Sequence, residues 1–148
     1  MNFHVVNLRH LRSGGYGDVF IGQRSDTGKW VVKKVLREWQ LPTDRERFER
    51  QGRLLARGIN GWVPVLAWNF AAQPPFYVMP YYDGGTLTQY AGRFNNHQLL
   101  NIAAKLAHPL ANLHAAFEVS GDFKPDNVFL LGVGTSNSLI PSAKQTSL

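Results

Sequence analysis

Apolar and polar positions change period twice along this chain, and each change predicts a different kind of element. Between Val5 and Val35, the β-rich runs VFIGQ (19–23) and KWVVKKVL (29–36) are separated by the turn-formers RSGGYG and RSDTGK. Short runs bounded by Gly, Ser and Asp read as strands, so this part predicts a three-stranded antiparallel start. A helical signal follows. Pro42 precedes Thr43, Glu46 stands three residues further on as its capping-box partner, Phe48 and Leu55 share a face, and Gly58 is placed to end the helix in a left-handed cap. WVPVLAWNF (62–70) and PPFYVMPYY (74–82) predict two further strands joined by a turn near AAQP. Five strands and one helix therefore fill the first half.

Asp83, Gly84 and Gly85 break the pattern, and TLTQY (86–90) begins a short helix. A longer helix is marked by Asn95 with Gln98 as a capping box. Leu99, Ile102, Ala103, Leu106, Leu110, Leu113 and Phe117 form its apolar stripe at helical spacing. Pro109 lies inside it and predicts a lost backbone bond and a kink. VFLL (128–131) reads as a short buried strand, and the Ser-, Thr- and Gly-rich sequence from Gly132 onward reads as a linker or tail. There is no internal repeat.

Composition narrows the class. At 148 residues, 44% hydrophobic and 18% charged, the chain has the make-up of one globular domain. Sixteen Lys and Arg against ten Asp and Glu give +6, which suits an anionic partner such as a nucleotide, a nucleic acid or an acidic protein surface. Many of the cations fall between Lys33 and Arg57, interleaved with Glu38, Asp44, Glu46 and Glu49. That is the pattern of a solvated helix face, and no nucleic-acid partner is expected. The absence of cysteine excludes disulfides and thiolate metal sites. His108 and His114 are six residues apart, on different faces of a helix, and make no ligand pair. No apolar run reaches the ~18 residues a membrane span needs and no signal-peptide core is visible, so a cytoplasmic, soluble chain is expected.

Two stretches carry candidate chemistry. In LRSGGYGDVFIG, Gly14, Gly15 and Gly17 stand between two strands, where backbone N–H groups could approach phosphate oxygens; an ordinary glycine-rich hairpin turn is the alternative. Lys33 is in step with Val31, so both share one sheet face, from which an ammonium could reach phosphates under the loop. SGDFKPDN (120–127) sets Asp122, Lys124 and Asn127 around a proline just before an apolar run. It reads as a catalytic loop entering a strand, or more simply as a capped turn.

The order of these features adds what none carries alone. A glycine loop, a strand lysine, an acidic and basic helix, a strand ending YVMPYYDGG, a long amphipathic helix and then GDFKPDN follow one another. Over residues 8–131 the chain thereby resembles the eukaryotic-type Ser/Thr protein kinase family. The resemblance implies an α+β fold. Residues 1–82 would form a kinase-like N-terminal lobe and hinge, a five-stranded antiparallel sheet plus one helix; 83–131 would form a partial helical C-terminal lobe with the catalytic loop, and 132–148 a polar tail. It also implies ATP and Mg as cofactors, and a protein substrate or partner protein.

Roles follow from the same resemblance. Gly14, Gly15 and Gly17 would cover the phosphates, Val19 and Val31 would flank the adenine, and Lys33 would pair the α- and β-phosphates, with Lys34 the alternate if the strand is shifted by one. Met79 would back the pocket, the Pro80 carbonyl and Tyr82 N–H would make the hinge contacts, Thr86 would fall near the ribose and Phe129 would close the adenine from below. Asp122 would accept the substrate hydroxyl's proton, Lys124 would neutralise the transferred phosphoryl, and Asn127 would hold magnesium. Lys124 followed by Pro125 favours serine and threonine substrates.

The chain also departs from the family pattern. Arg12 replaces the first loop glycine, Gln51 the helix glutamate, and Ser120 and Gly121 the residues before the catalytic aspartate. By counted spacing, Pro141, Ser142 and Ala143 stand where Asp-Phe-Gly belongs, and no aspartate follows Asp126. A complete domain of the family is about twice this length. These departures imply a truncated, catalytically impaired Ser/Thr kinase. A regulatory pseudokinase is the alternative. A small-molecule phosphotransferase of kinase-like fold is a second alternative, opposed by the Lys124–Pro125 pair.

Overall fold

The computed structural model describes residues 3–15, 17–37, 41–119, 123–131 and 142–145, with the backbone alone for 131 and 142–145. The chain divides into two compact units, Met1–Gly58 with Pro64–Tyr81, and Ile59–Val63 with Tyr82–Leu148.

The first unit is the expected α+β arrangement. Strands β1 (Val5–Ser13), β2 (Gly17–Arg24), β3 (Trp30–Leu36), β4 (Ala67–Asn69) and β5 (Phe76–Pro80) form one antiparallel sheet in the order β1-β2-β3-β5-β4, and helix α1 (Pro42–Ala56) joins β3 to β4. Alternation along β5 divides the core between the two sheet faces. Val78 packs with Phe3, Val31 and Ala67 on one face, while Tyr77 meets Phe48 of α1 with ring centroids 5.0 Å apart.

Two local expectations in the first half are corrected. Helix α1 does not use Thr43 as its cap: Leu41 is the N-cap, and its N–H donates to Asp44 Oδ2 at 3.2 Å. Pro42 decides this, because its fixed φ and missing donor suit the first helical position, so the helix starts before Thr43. The other end is as expected, with Gly58 at φ +69 and its N–H on the Leu55 carbonyl at 3.2 Å. The strand expected over 62–70 shrinks to Ala67–Asn69. Trp62 belongs instead to the second unit, where its buried Nε1–H donates to the Pro109 carbonyl at 2.9 Å.

The second unit contains a 3-10 turn (Leu87–Tyr90), helix α2 (Asn96–Ala115), a second 3-10 turn (Pro125–Asn127) and strands β6 (Val128–Leu131) and β7 (Ser142–Gln145). The capping box of α2 forms as expected: Gln98 N–H donates to Asn95 Oδ1 at 2.9 Å, and Asn95 N–H to Gln98 Oε1 at 3.0 Å. Its buried seam is Ile102, Leu106, Pro109 and Leu113. Ile102 and Leu106 pack with Val128, Leu87 and Phe94. The predicted stripe overreaches at both ends, since Leu99 is 49% and Phe117 98% exposed.

Pro109 lies inside α2 as expected, and the helix continues through it. The ring packs against the 59–63 segment: a Cβ on Gly61 would stand 2.5 Å from Pro109 Cγ, and Asn112 Nδ2 donates to the Asn60 carbonyl at 3.1 Å. Burial of the ring thus offsets the helical bond that proline removes. Within the stretch read as a tail, β7 pairs antiparallel with β6, from Val128 opposite Gln145 to Leu131 opposite Ser142. No helix among the described residues is long and apolar enough to cross a membrane.

Candidate functional site

Strand register decides which lysine faces the helix. Val19 is opposite Lys34 and Lys34 opposite Tyr77, while Phe20 is opposite Lys33 and Lys33 opposite Val78. Directly opposed residues share a face. Val19, Lys34 and Tyr77 therefore lie on the α1 side, together with Met79 and its partner Val32. There Lys34 Nζ donates to Gln51 Oε1 at 2.8 Å, and the Tyr77 hydroxyl donates to the same oxygen at 2.8 Å.

The residues singled out first from the sequence, Lys33 and Val31, face the other way. Val31 is buried with Phe3, Ala67 and Val78. Lys33 Nζ lies 4.0 Å over the Phe76 ring, and burial pushes its ammonium below the ordinary lysine range. The structure brings Gln51 to the shifted alternate, Lys34. It also adds two residues that sequence reading missed, Val32 and Tyr77. Gln51 reaches the sheet because Gly52 lets α1 lie close: a Cβ there would meet Phe70 Cζ at 2.6 Å and Tyr77 Cδ1 at 3.0 Å.

The glycine loop is braced by side chains. Gly14 N–H donates to the Gly17 carbonyl at 2.8 Å, and Ser13 Oγ donates to Asp18 Oδ1 at 2.7 Å. Arg37 spans the loop, with Nε on Asp18 Oδ1 at 3.3 Å and Nη2 on the Gly14 carbonyl at 3.1 Å. Gly14 and Gly15 are exposed, and a Cβ on Gly15 meets nothing within 4 Å. Gly17 is buried, and a Cβ there would fall on the Val35 carbonyl oxygen. Close packing against β3 is thus what requires glycine at 17. Tyr16 lies outside the described residues.

The Ser13 hydroxyl, and then the Arg37 guanidinium, hold the Asp18 carboxyl below the usual carboxylate range. A depressed folded-state value means that the brace is complete above the unfolded carboxylate's pKa of about 4 and is released as pH falls through the lower folded value. In an NMR acid titration, the Gly14 and Gly15 amide signals are expected to follow that release in the parent chain and to lose the step in Asp18→Asn.

At the end of β5, Met79 is buried and Pro80 is opposite Val31. In the second unit, the Tyr82 ring lies 5.9 Å from the Phe129 ring, and burial raises its phenol. Thr86 bridges to Phe129, its N–H donates to Gln89 Oε1 at 3.0 Å, and Leu130 N–H donates to the Gly85 carbonyl at 3.0 Å. Tyr82, Thr86 and Phe129 are therefore gathered locally. Asn127 is buried, its N–H on the Lys124 carbonyl at 2.9 Å, while the Lys124 side chain is exposed. Asp122 lies outside the described residues. Among the described residues, no group of three or more His, Cys, Asp or Glu could hold a metal ion.

Strand pairing also moves one comparison. The family's Asp-Phe-Gly follows two strands after the loop asparagine, and here the second strand is Ser142–Gln145 itself. The residue that follows it is Thr146, outside the described residues, in place of the counted Pro141.

A five-stranded antiparallel sheet with one helix holding a β3 lysine, followed by a helical part, is the architecture of a protein kinase N-terminal lobe with part of the lobe that follows. No protein-family model matches the chain. It is 31% identical over 130 residues to the human serine/threonine-protein kinase MRCK gamma, covering 83% of this chain and 8% of that protein. It is 33% identical over 137 residues to the DNA damage-responsive serine/threonine-protein kinase RqkA of Deinococcus radiodurans, covering 86% of this chain and 20% of that protein. With mrck-1 of Caenorhabditis elegans it shares 28% identity over 130 residues, again 8% of that protein's length. The chain thus spans a small part of the relatives it matches, and it belongs to the Ser/Thr protein kinase family.

Proposed function

We propose that the chain is an ATP-binding protein kinase domain whose own phosphoryl transfer is impaired. The observation that carries this reading is the Lys34–Gln51 hydrogen bond of 2.8 Å, on the sheet face that also bears Val19 and Met79. An ammonium fixed by a helix acceptor on that face suits the α- and β-phosphates of a nucleotide. In the first unit, Val19 and Val32 flank the adenine, Met79 backs it, the Pro80 carbonyl accepts from it, and the Gly14 and Gly15 backbone follows the phosphates. For the second unit, taken by itself, the family resemblance assigns Tyr82, Thr86 and Phe129 to a nucleoside, Asp122 to the substrate proton and Lys124 to the transferred group. A protein, as substrate or regulated partner, is the second ligand that the family supports.

Impairment follows from the charges. Gln51 orients Lys34 without contributing a carboxylate, and the residue that follows β7 is Thr146 rather than an aspartate. Magnesium is bound through oxygen ligands that normally include one or two carboxylates. Asn127 offers a buried neutral amide and Thr146 stands after β7, so these two positions do not supply that carboxylate and no step is routed through the ion. Electrostatic stabilisation dominates phosphoryl transfer, so this loss reduces turnover by orders of magnitude.

The test combines binding with transfer. ATP at 100 times its Kd is expected to stabilise the chain by about 2.7 kcal/mol, read as a rise in melting temperature. Label transfer from ATP to a basic protein is expected to stay at the level of Asp122→Asn. Absence of any nucleotide-dependent stabilisation overturns the binding reading. Transfer present in the parent and lost in Asp122→Asn overturns the impairment.

A further inference from the structure

We infer that Tyr77 is a positioning residue for Lys34, acting through the Gln51 carboxamide. A carboxylate at position 51 would present an acceptor whichever way it turned. A carboxamide presents an oxygen in one orientation and an NH2 donor in the other, so it meets an ammonium productively only when turned correctly. At Gln51 the ammonium sets the amide's orientation and the phenol adds a second bond to the same atom: Lys34 Nζ and the Tyr77 hydroxyl are each 2.8 Å from Oε1. Turning the amide over would set its NH2 against the Lys34 ammonium, which can only donate, and would leave the Tyr77 hydroxyl to accept instead. The Tyr77 bond thereby anchors the carboxamide oxygen at the place where Lys34 meets it.

Tyr77 is built for that task. It is fully buried, its ring lies 5.0 Å from that of Phe48, and its edge fits where Gly52 has no side chain. The hydroxyl has one proton to give, and Gln51 receives it. Burial raises the phenol, so the donor persists across the neutral range. Gln51 is itself 8% exposed, which leaves water little access to replace the tyrosine.

Tyr77→Phe removes the hydroxyl and keeps the ring. Without nucleotide, Lys34 is expected to be acylated several-fold faster by an amine-reactive ester in this variant, because a side chain less firmly held at Gln51 meets the reagent more often, while Lys33 keeps its rate. An unchanged Lys34 rate overturns the inference. With nucleotide, ATP affinity is expected to fall about fivefold, the size of one net hydrogen bond, and adenosine affinity to stay constant. Equal losses for ATP and adenosine, or none for either, mean a merely structural hydroxyl and overturn it too. Adding Tyr77→Phe to Gln51→Ala is expected to change neither readout further; a full second loss in the double variant overturns the route through Gln51.

The nucleotide arm rests on the ATP-binding reading, whereas the labelling arm does not. A parent chain that binds neither ATP nor adenosine, yet shows the Lys34 acceleration in Tyr77→Phe, overturns that reading and supports the brace.

Discussion

Replacing Lys34 with methionine is expected to lower ATP affinity about 10- to 100-fold, while Lys33→Met leaves it within about twofold; a charged hydrogen bond contributes about 1.5–3 kcal/mol. The two side chains are neighbours in sequence and opposites in space. Lys34 shares a face with Val19 and Tyr77 and is held by Gln51. Lys33 lies over Phe76 on the other face, where its removal costs a cation–π contact and affects stability. Calorimetric titration with ATP and adenosine separates the effects, because Lys34→Met should spare adenosine. A loss confined to Lys33→Met would restore the unshifted register, and equal small losses would place the phosphates away from this strand.

That pair of lysines also marks the limit of what the sequence could tell. A strand has a period of two, so a shift of one residue exchanges its faces. The run WVVKKVL offers the same chemistry in either phase: Val31, Lys33 and Val35 alternate as well as Val32, Lys34 and Leu36. What selects Lys34 is the pairing of three strands, and Tyr77 and Gln51, which complete the arrangement, are 26 residues apart. Nothing local links them.

Where the deciding interaction is local, the pattern was legible. Gly58 ends α1 and Asn95 with Gln98 begins α2 as expected, because each depends on residues within one turn. A local rule failed where a neighbour intervened: Pro42 moved the start of α1. The ordered motifs revealed the family before any register was known. Asp122, on which the catalytic-loop reading turns, lies outside the described residues, so its role rests on the motif and the proposed transfer assay.

Gly52→Ala is expected to destabilise the chain by about 2 kcal/mol, although the same change at an exposed helical position stabilises by about 1 kcal/mol. The sign is set by what a methyl group would meet: Phe70 Cζ at 2.6 Å, Phe70 Cε1 at 2.9 Å and Tyr77 Cδ1 at 3.0 Å. Phe70 and Tyr77 are both buried, so neither ring can swing into open solvent, and the helix must move outward. Gln51 precedes Gly52, so an outward shift lengthens the Lys34–Gln51 contact and should accelerate acylation of Lys34 as Tyr77→Phe does. Gly15→Ala is the control, since a Cβ there meets nothing within 4 Å, and it should leave the urea midpoint unchanged. If Gly52→Ala instead raises the midpoint, α1 does not press against Tyr77, and the close approach that brings Gln51 to Lys34 is lost as an explanation. If it lowers the midpoint without changing Lys34 reactivity, packing at Gly52 and positioning of the lysine are separate functions of the same helix.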